Sequence, residues 1–373
     1  MKRGLHVAWK RELVAIVGRR PLLAMLLVVM LLPACDNSTP PAAVAPPPLA
    51  SELIYYGYAE DMPQSVLDAF TKEFGVKIHY LPYQSPEESK ENIRAGKVYD
   101  VAAIENQLIP PLVKDGLLAE IDYANVTNFK NIAANFRDLA IDPGNRHSVP
   151  ASYGTTGLLV RTDLVDKTPS RWADLWDPHY AGKIGLRPAP REVIGLTLLS
   201  LGYSFNSENP QELDAALERL QELKPSMAML DIEASDAAPK LLSGEIAILH
   251  GYTEDYQVAH EANPAVAYVL PQEGTALWGD SYVIPANSPR KQTAEVFLNF
   301  LLRPDVEAQV VNEKKYASVN DAALPLIQPE IRNDPVIYPP NQDLQNGHII
   351  LPLSPEGEKR YADLWARFMA DSP

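Results

Sequence analysis

The sequence is poor in the groups on which most catalytic sites are built. Its 373 residues hold one cysteine, Cys35, so no disulfide can form within a chain. The seven histidines are scattered, and none is paired at metal-ligand spacing; His260-Glu261 lacks the second histidine of a zinc helix. There is no G-x-S-x-G elbow, no P-loop and no G-x-G-x-x-G turn. No metal or cofactor is therefore expected. The longest apolar run, Leu22 to Leu32, has eleven residues and is too short to span a bilayer as a mature helix. Basic residues are outnumbered, 33 to 48, for a net charge of −15, which makes nucleic acid an unsuitable partner. One catalytic arrangement stays open: a carboxylate pair acting as acid and base, whose spacing in three dimensions a sequence does not reveal.

What is present begins with an export signal. Residues 1–20 carry six Lys/Arg and one acid, Glu12, and the apolar run that follows has signal-peptide length. Leu32-Pro33-Ala34-Cys35 resembles the lipobox of bacterial lipoproteins, in which the cysteine is lipidated and becomes the new N-terminus. A lipidated Cys35 leaves no thiol for Cys–His catalysis. Pro33 is not the commonest residue at its position. Asp36 resembles the residue that keeps many Gram-negative lipoproteins on the inner membrane. Five prolines within 36–50 favour an extended, solvated tether. Removal of residues 1–34 leaves 27 basic and 47 acidic residues, a net charge of about −20, which suits a cationic ligand but also serves solubility. The expectation is a signal peptide over 1–34, a lipidated tether over 35–50, and a body of about 320 residues, enough for two domains.

Within the body, residues 278–287 read Trp-Gly-Asp-Ser-Tyr-Val-Ile-Pro-Ala-Asn. If extended, this stretch puts Trp278, Asp280 and Tyr282 on one face. An aromatic beside a carboxylate suits an organic cation: the ring covers methylenes and its π-face attracts positive charge, while the acid pairs with an ammonium. A core strand with one polar residue is the other reading of the same pattern.

The rest of the body alternates strand and helix signals. Leu53–Tyr58, Val76–Tyr80 and Asp100–Ile104 read as strands. Asp61-Met62-Pro63 reads as the start of a helix capped by Asp61 and ended by Gly75, and Ser85-Pro86-Glu87-Glu88 has capping-box form. Thr168-Pro169 reads as the start of a short helix reaching Asp177. Leu213 to Leu223 form an amphipathic helix ahead of Pro225, and further helices are predicted over 289–302 and 355–369. This alternation predicts an α/β body with a largely parallel sheet, whose ligands bind beyond the carboxyl ends of the strands.

Four stretches carry a resemblance that spans residues 52–340. They are Tyr55-Tyr56-Gly57-Tyr58-Ala59-Glu60-Asp61 with Phe70–Gly75; Trp172-Ala173-Asp174-Leu175-Trp176; Arg191-Glu192-Val193 with Leu201-Gly202-Tyr203-Ser204; and Trp278–Asn287 with Asn299–Val306. Together they resemble the bacterial periplasmic spermidine/putrescine-binding proteins, the substrate-binding components of polyamine ABC importers. The resemblance implies a two-lobed periplasmic binding protein fold of type II, with the ligand in the interlobe cleft. Lobe 1 would be 51–154 plus 278–325 and lobe 2 would be 158–273 plus 328–370. It implies a monomer at the extracytoplasmic face whose partners are a polyamine, an ABC permease with its ATPase and, through Cys35, the membrane. By position it assigns Asp280 to an amine, Trp278 to the covering aromatic, Glu192 and Asp255 to further amines, Tyr252, Tyr58 and Tyr316 to the wall, and Glu60 to the end of the first strand.

The sequence also departs from that pattern. Glu105 stands where the family tends to carry serine, Ala189 replaces an acid of spermidine binders, and Ile350 falls where they have glutamine. Glu105 could receive another amine or act as a repelled carboxyl. The identity of the polyamine stays open. So do a sensor lipoprotein of the same fold, a binder of another cationic solute, and a carboxylate-based hydrolase.

Overall fold

The computed structural model describes residues 48–59, 61–340, 344 and 346–370. The leader, Cys35, most of the tether and Glu60 lie outside these residues.

Strand β1 (Glu52–Tyr58) leads into helix α1 (Gln64–Phe74), β2 (Lys77–Tyr83), α2 (Pro86–Arg94), β3 (Val101–Glu105) and α3 (Ile109–Lys114). After a long irregular stretch come β4 (Ser148–Arg161), β5 (Ile184–Gly185), α4 (Pro190–Ser200), α5 (Pro210–Leu223), β6 (Met227–Met229), α6 (Ala234–Ser243), β7 (Ile248–Tyr252), α7 (Thr253–Ala262), β8 (Val266–Val269) and β9 (Thr275–Val283). The chain ends with α8 (Lys291–Leu301), α9 (Pro304–Lys314), β10 (Ala317–Ser318), α10 (Pro329–Arg332), β11 (Gly347–Ile349) and a C-terminal helix, Pro355–Ala370. None of the described helices is long and apolar enough to cross a membrane.

Local signals explain most of these boundaries. Helix α1 buries Val66, Leu67 and Phe70, and Gly75 ends it with φ 70°, a left-handed conformation that suits a residue without Cβ. The Asp61 cap is corrected: the helix begins after Pro63, and the Asp61 backbone N–H bonds to the Tyr58 carbonyl (3.2 Å) and the Tyr80 hydroxyl (3.1 Å) in the preceding turn. In α2 the Ser85 hydroxyl accepts from the Glu88 N–H at 3.2 Å, as the capping motif predicts. The helix expected from Thr168 is reduced to a single 3-10 turn, Trp172–Trp176. The Asp174 carboxylate accepts from the N–H groups of Ser170 (2.9 Å) and Arg171 (3.1 Å), which fixes the start of that turn.

The strands run in the order β2-β1-β3-β9-β4-β7-β5-β6. The sheet is mixed rather than largely parallel. Both outer parts are parallel, β2-β1-β3 on one side and β7-β5-β6 on the other, but β9 and β4 between them pair antiparallel with their neighbours. The reason is that the chain crosses between two cores on long strands. The first half of β4, from Ser148 to Thr155, pairs with β9, and its second half, from Thr156, pairs with β7.

Burial follows the same division. One core gathers Leu53, Phe70, Val149, Tyr282 and Phe297, and the other gathers Leu158, Trp172, Ile194, Leu220 and Phe368. The C-terminal division falls later than expected. Ile331 and Ile337 pack in the first core, and only beyond them does the chain reach the second, through Ile350 and the helix bearing Tyr361, Leu364 and Phe368. Burial of such apolar stripes is the main stabilising term of both cores.

Candidate functional site

The carboxyl ends of the parallel strands and the two crossing strands bring one group of polar side chains together. On β9, Tyr282 is buried in the first core, Trp278 packs against the second, and Asp280 stands between them. The alternation predicted from sequence thus places the aromatics and the acid on one face, but sends Tyr282 into the core. Asp280 lies opposite Glu105 in the β3–β9 register and opposite Ser152 in the β4–β9 register, just past a bulge between Pro150 and Ser152. The Ser152 hydroxyl donates to Asp280 Oδ2 at 3.1 Å. Trp278 lies on Gly154 of the facing strand, where an added Cβ would stand 2.1 Å from indole Cζ2, so only glycine leaves room for the ring. The indole meets Tyr252 edge to face, centroids 6.2 Å apart, and its buried N–H has no partner among the described residues.

Glu105 ends β3. It accepts a 2.6 Å hydrogen bond from the Tyr58 hydroxyl and another from Gln107. Burial, with the nearby Glu192 and Glu87 carboxyls, pushes its pKa from 4.5 up to about 7, although the Tyr58 and Gln107 bonds pull the other way. Burial, then Glu105 and Asp61, also raises Asp280 well above the carboxylate range. Asp61, set down as a cap, belongs to this group: burial takes it from 3.8 to about 6. Tyr316 is buried near Asp61 and Tyr282, and burial and those neighbours raise its pKa well above 10.

The second core contributes Glu192 from the first turn of α4 and Tyr252, Glu254 and Asp255 from the β7–α7 junction. Glu192 is buried, accepts from the Thr156 hydroxyl at 2.8 Å and lies 3.4 Å from His250 Nε2. Burial, then Asp255 and Asp61, raises Glu254 from 4.5 to about 7. Asp255 is not a free acid. Its Oδ2 accepts from Arg187 Nη1 at 2.6 Å and from the Tyr252 backbone N–H at 3.1 Å, so it pairs with a guanidinium and caps α7. The Arg187 guanidinium also lies 5.1 Å from the Tyr252 ring centre. Burial opposes its charge, and Asp255, Tyr252 and Glu192 outweigh that, holding its pKa above the usual value.

Of the other sequence expectations, Ala189 precedes α4 and Ile350 is buried in the second core. Arg187, Glu254, Thr156, Ser152 and His250 were not anticipated. Arg187 follows a two-residue strand too short for any periodicity to reveal. Glu254 and Ser152 become visible only once register and helix start are known.

The arrangement is six carboxyl groups, Asp61, Glu105, Glu192, Glu254, Asp255 and Asp280, around aromatic rings and one paired guanidinium. Among the described residues no three or more His, Cys, Asp or Glu are placed to hold a metal ion. Three contacts join elements on the β2-β1-β3 side of the sheet to elements on the β7-β5-β6 side: Lys90–Glu358 at 3.2 Å, Lys315–Glu261 at 3.0 Å and Gln257–Asp334 at 2.7 Å.

Residues 65–339 match the family model described as bacterial extracellular solute-binding protein. The chain belongs to that family. It is accordingly a solute-binding protein and not an enzyme, and the cleft between its two cores is that of a two-lobed, type II binding fold. This solute-binding chain is 36% identical over 298 residues to the spermidine/putrescine-binding periplasmic protein of Escherichia coli, covering 79% of the chain and 85% of that protein. It is 29% identical over 332 residues to a putrescine-binding periplasmic protein of Pseudomonas aeruginosa, covering 84% and 90%. Among solved structures, the spermidine/putrescine ABC transporter substrate-binding protein of Streptococcus pneumoniae superposes with a TM-score of 0.75 at 30% identity, over 86% of this chain and 99% of that one.

Proposed function

We propose that the protein captures a polyamine of the putrescine/spermidine class outside the cytoplasm and delivers it to an ABC permease and its ATPase, held at the membrane by a lipid on Cys35. The observation that carries this reading is the excess of acid over base in an aromatic-lined cleft. Asp280 and Glu105, side by side, take their hydrogen bonds from hydroxyl and amide donors, while the Arg191 guanidinium, which acts on Glu105, spends its hydrogen bonds on Asn206 and the Leu351 carbonyl. An incoming ammonium supplies a cationic partner. Asp280 and Glu105 would take one ammonium and Glu192 the other. Trp278 and Tyr252 would cover the chain between them, with Tyr58 and Tyr316 closing the wall. Four covered methylenes at ~0.8 kcal/mol each contribute about 3 kcal/mol. Lobe closure removes water, which strengthens the charge pairs and raises the cost of any carboxylate left unmatched. The relatives named for spermidine and putrescine, which cover most of the chain, support the same ligand class. No bond is made or broken in this mechanism.

Titration calorimetry of the protein with putrescine, cadaverine, spermidine and spermine tests the proposal. At least one amine is expected to bind with micromolar or tighter affinity, about −8 kcal/mol or better. No heat and no thermal shift with any of the four would sink it.

A further inference from the structure

We propose that Arg187 makes the protein selective for diamines, by placing a resident cation where a longer polyamine would put its third ammonium. The inference rests on the polyamine reading above. Its ground is a guanidinium built into the cleft. Arg187 stands two residues past the carboxyl end of β5, its side chain 12% exposed and that of its partner Asp255 9% exposed. It is fixed by the 2.6 Å bond to Asp255 and by the Tyr252 ring beneath it. Asp255 is in turn held by the Tyr252 backbone, so the pair cannot swing aside without uncapping α7.

A ligand starting at Asp280 and Glu105 runs along Trp278 to Tyr252, which Trp278 meets edge to face, and there reaches Arg187. Glu192, held by Thr156, offers an acid for the second ammonium before that point. Beyond it, Asp255 is already neutralised. Glu254 follows Tyr252 in the first turn of α7, and burial with the Asp255 carboxyl raises its pKa to about 7, so it is only partly ionised. A third ammonium would find Asp255 paired and Glu254 only partly ionised, and would meet a like charge in a poorly solvated site, where the repulsion is strong. The Arg187 Nε–H is buried and has no partner among the described residues, so the guanidinium keeps a donor that a carboxylate could use but an ammonium cannot. The surrounding excess of acids favours the cationic ligand over a carboxylate.

Competition calorimetry and thermal melts on the whole protein decide this. Wild type should bind putrescine or cadaverine at least about tenfold more tightly than spermidine. Arg187→Gln, which frees Asp255, should bring spermidine level with putrescine or ahead of it. Because that variant leaves a buried acid unpaired, Arg187→Gln/Asp255→Asn is the companion: it removes both charges, keeps the net charge, and should narrow the ratio by a smaller factor. A wild type that prefers spermidine, a ratio unchanged in both folded variants, or tighter binding of 4-aminobutyrate than of putrescine would each overturn the role of Arg187. The first two would leave the polyamine function standing. Failure of every amine to bind would instead remove the function itself and this inference with it.

Discussion

The two ends of the cleft differ in how their carboxyls are satisfied. On the first-core side Asp280 and Glu105 take hydrogen bonds from neutral donors only, Ser152, Tyr58 and Gln107, and in Asp61 near them burial outweighs the pull of Lys314. On the second-core side Asp255 has the Arg187 guanidinium, and Glu192 has the Thr156 hydroxyl with His250 close by. One end holds buried acids that favour their protonated forms until a cation arrives, while at the other Asp255 and Glu192 already have partners before any ligand arrives. Affinity should therefore be concentrated at the first end and discrimination at the second.

The sharpest way to break this comparison is to neutralise one aspartate at each end. Asp280→Asn should lower polyamine affinity by about 100-fold or more, because it removes a buried charge-assisted pair. It should leave the melting temperature of the unligated protein unchanged or higher, since a repelled carboxylate is gone. Asp255→Asn should do the reverse. It strips a buried guanidinium of its counterion, a loss of about 3–5 kcal/mol of stability, while the acids that hold the ligand remain. Denaturant melts and calorimetry on the same two samples check both halves. Equal losses of affinity with no loss of stability in either would mean that the two ends are alike.

That division was only half legible in the sequence. Trp278 and Asp280 declared themselves because a two-residue alternation on an extended strand fixes which side chains share a face. Glu192 and Tyr252 were legible through the resemblance that their flanking stretches carry. The α/β class followed from strand–helix alternation and the two lobes from the resemblance, but the direction of β4 and β9 did not follow from the alternation, since a single strand looks the same whichever way its neighbours run. Arg187 was hidden for a related reason. Its strand has two residues, and its partner Asp255 lies 68 positions away, a pairing that only the folded sheet brings about. Asp61 was misread because Asp before Pro is a common helix start, whereas here the backbone turn at Tyr58 holds that aspartate among the cleft acids.

Acidity sharpens the same contrast with a smaller effect. Glu105 and Glu254 have pKa values raised from 4.5 to about 7, and Asp61 from 3.8 to about 6. In the unligated protein these groups keep protons that the unfolded chain has already released. Their contribution to stability is thus full below about 4 and is lost as pH rises through about 6 to 7. The unligated melting temperature should fall from pH 5 to pH 8. A dication favours the ionised forms, so affinity should rise over the same interval, by up to about tenfold per pH unit for each proton released on binding. Calorimetry in buffers of different ionisation heat counts those protons. A flat affinity between pH 5 and 8 with no proton release would show that these three acids are not the ones that meet the ligand.

The smallest effect should come from contacts that join the two sides without touching the ligand. Lys90 on α2 and Glu358 on the C-terminal helix are 3.2 Å apart, their side chains 16% and 40% exposed. An ion pair this open to water contributes about 0–1 kcal/mol, and salt screens it. It exists only while the two cores stand close, so it weights the closed cleft regardless of which amine is inside. Lys90→Ala should weaken binding of putrescine and spermidine by the same factor, about fivefold at most, and the factor should shrink in 0.5 M salt. The ratio of the two ligands should not move, in contrast to Arg187→Gln, because a contact outside the cleft cannot tell two ligands apart. A changed ratio in Lys90→Ala would mean that selectivity is spread over the closure itself rather than held at the Arg187 end.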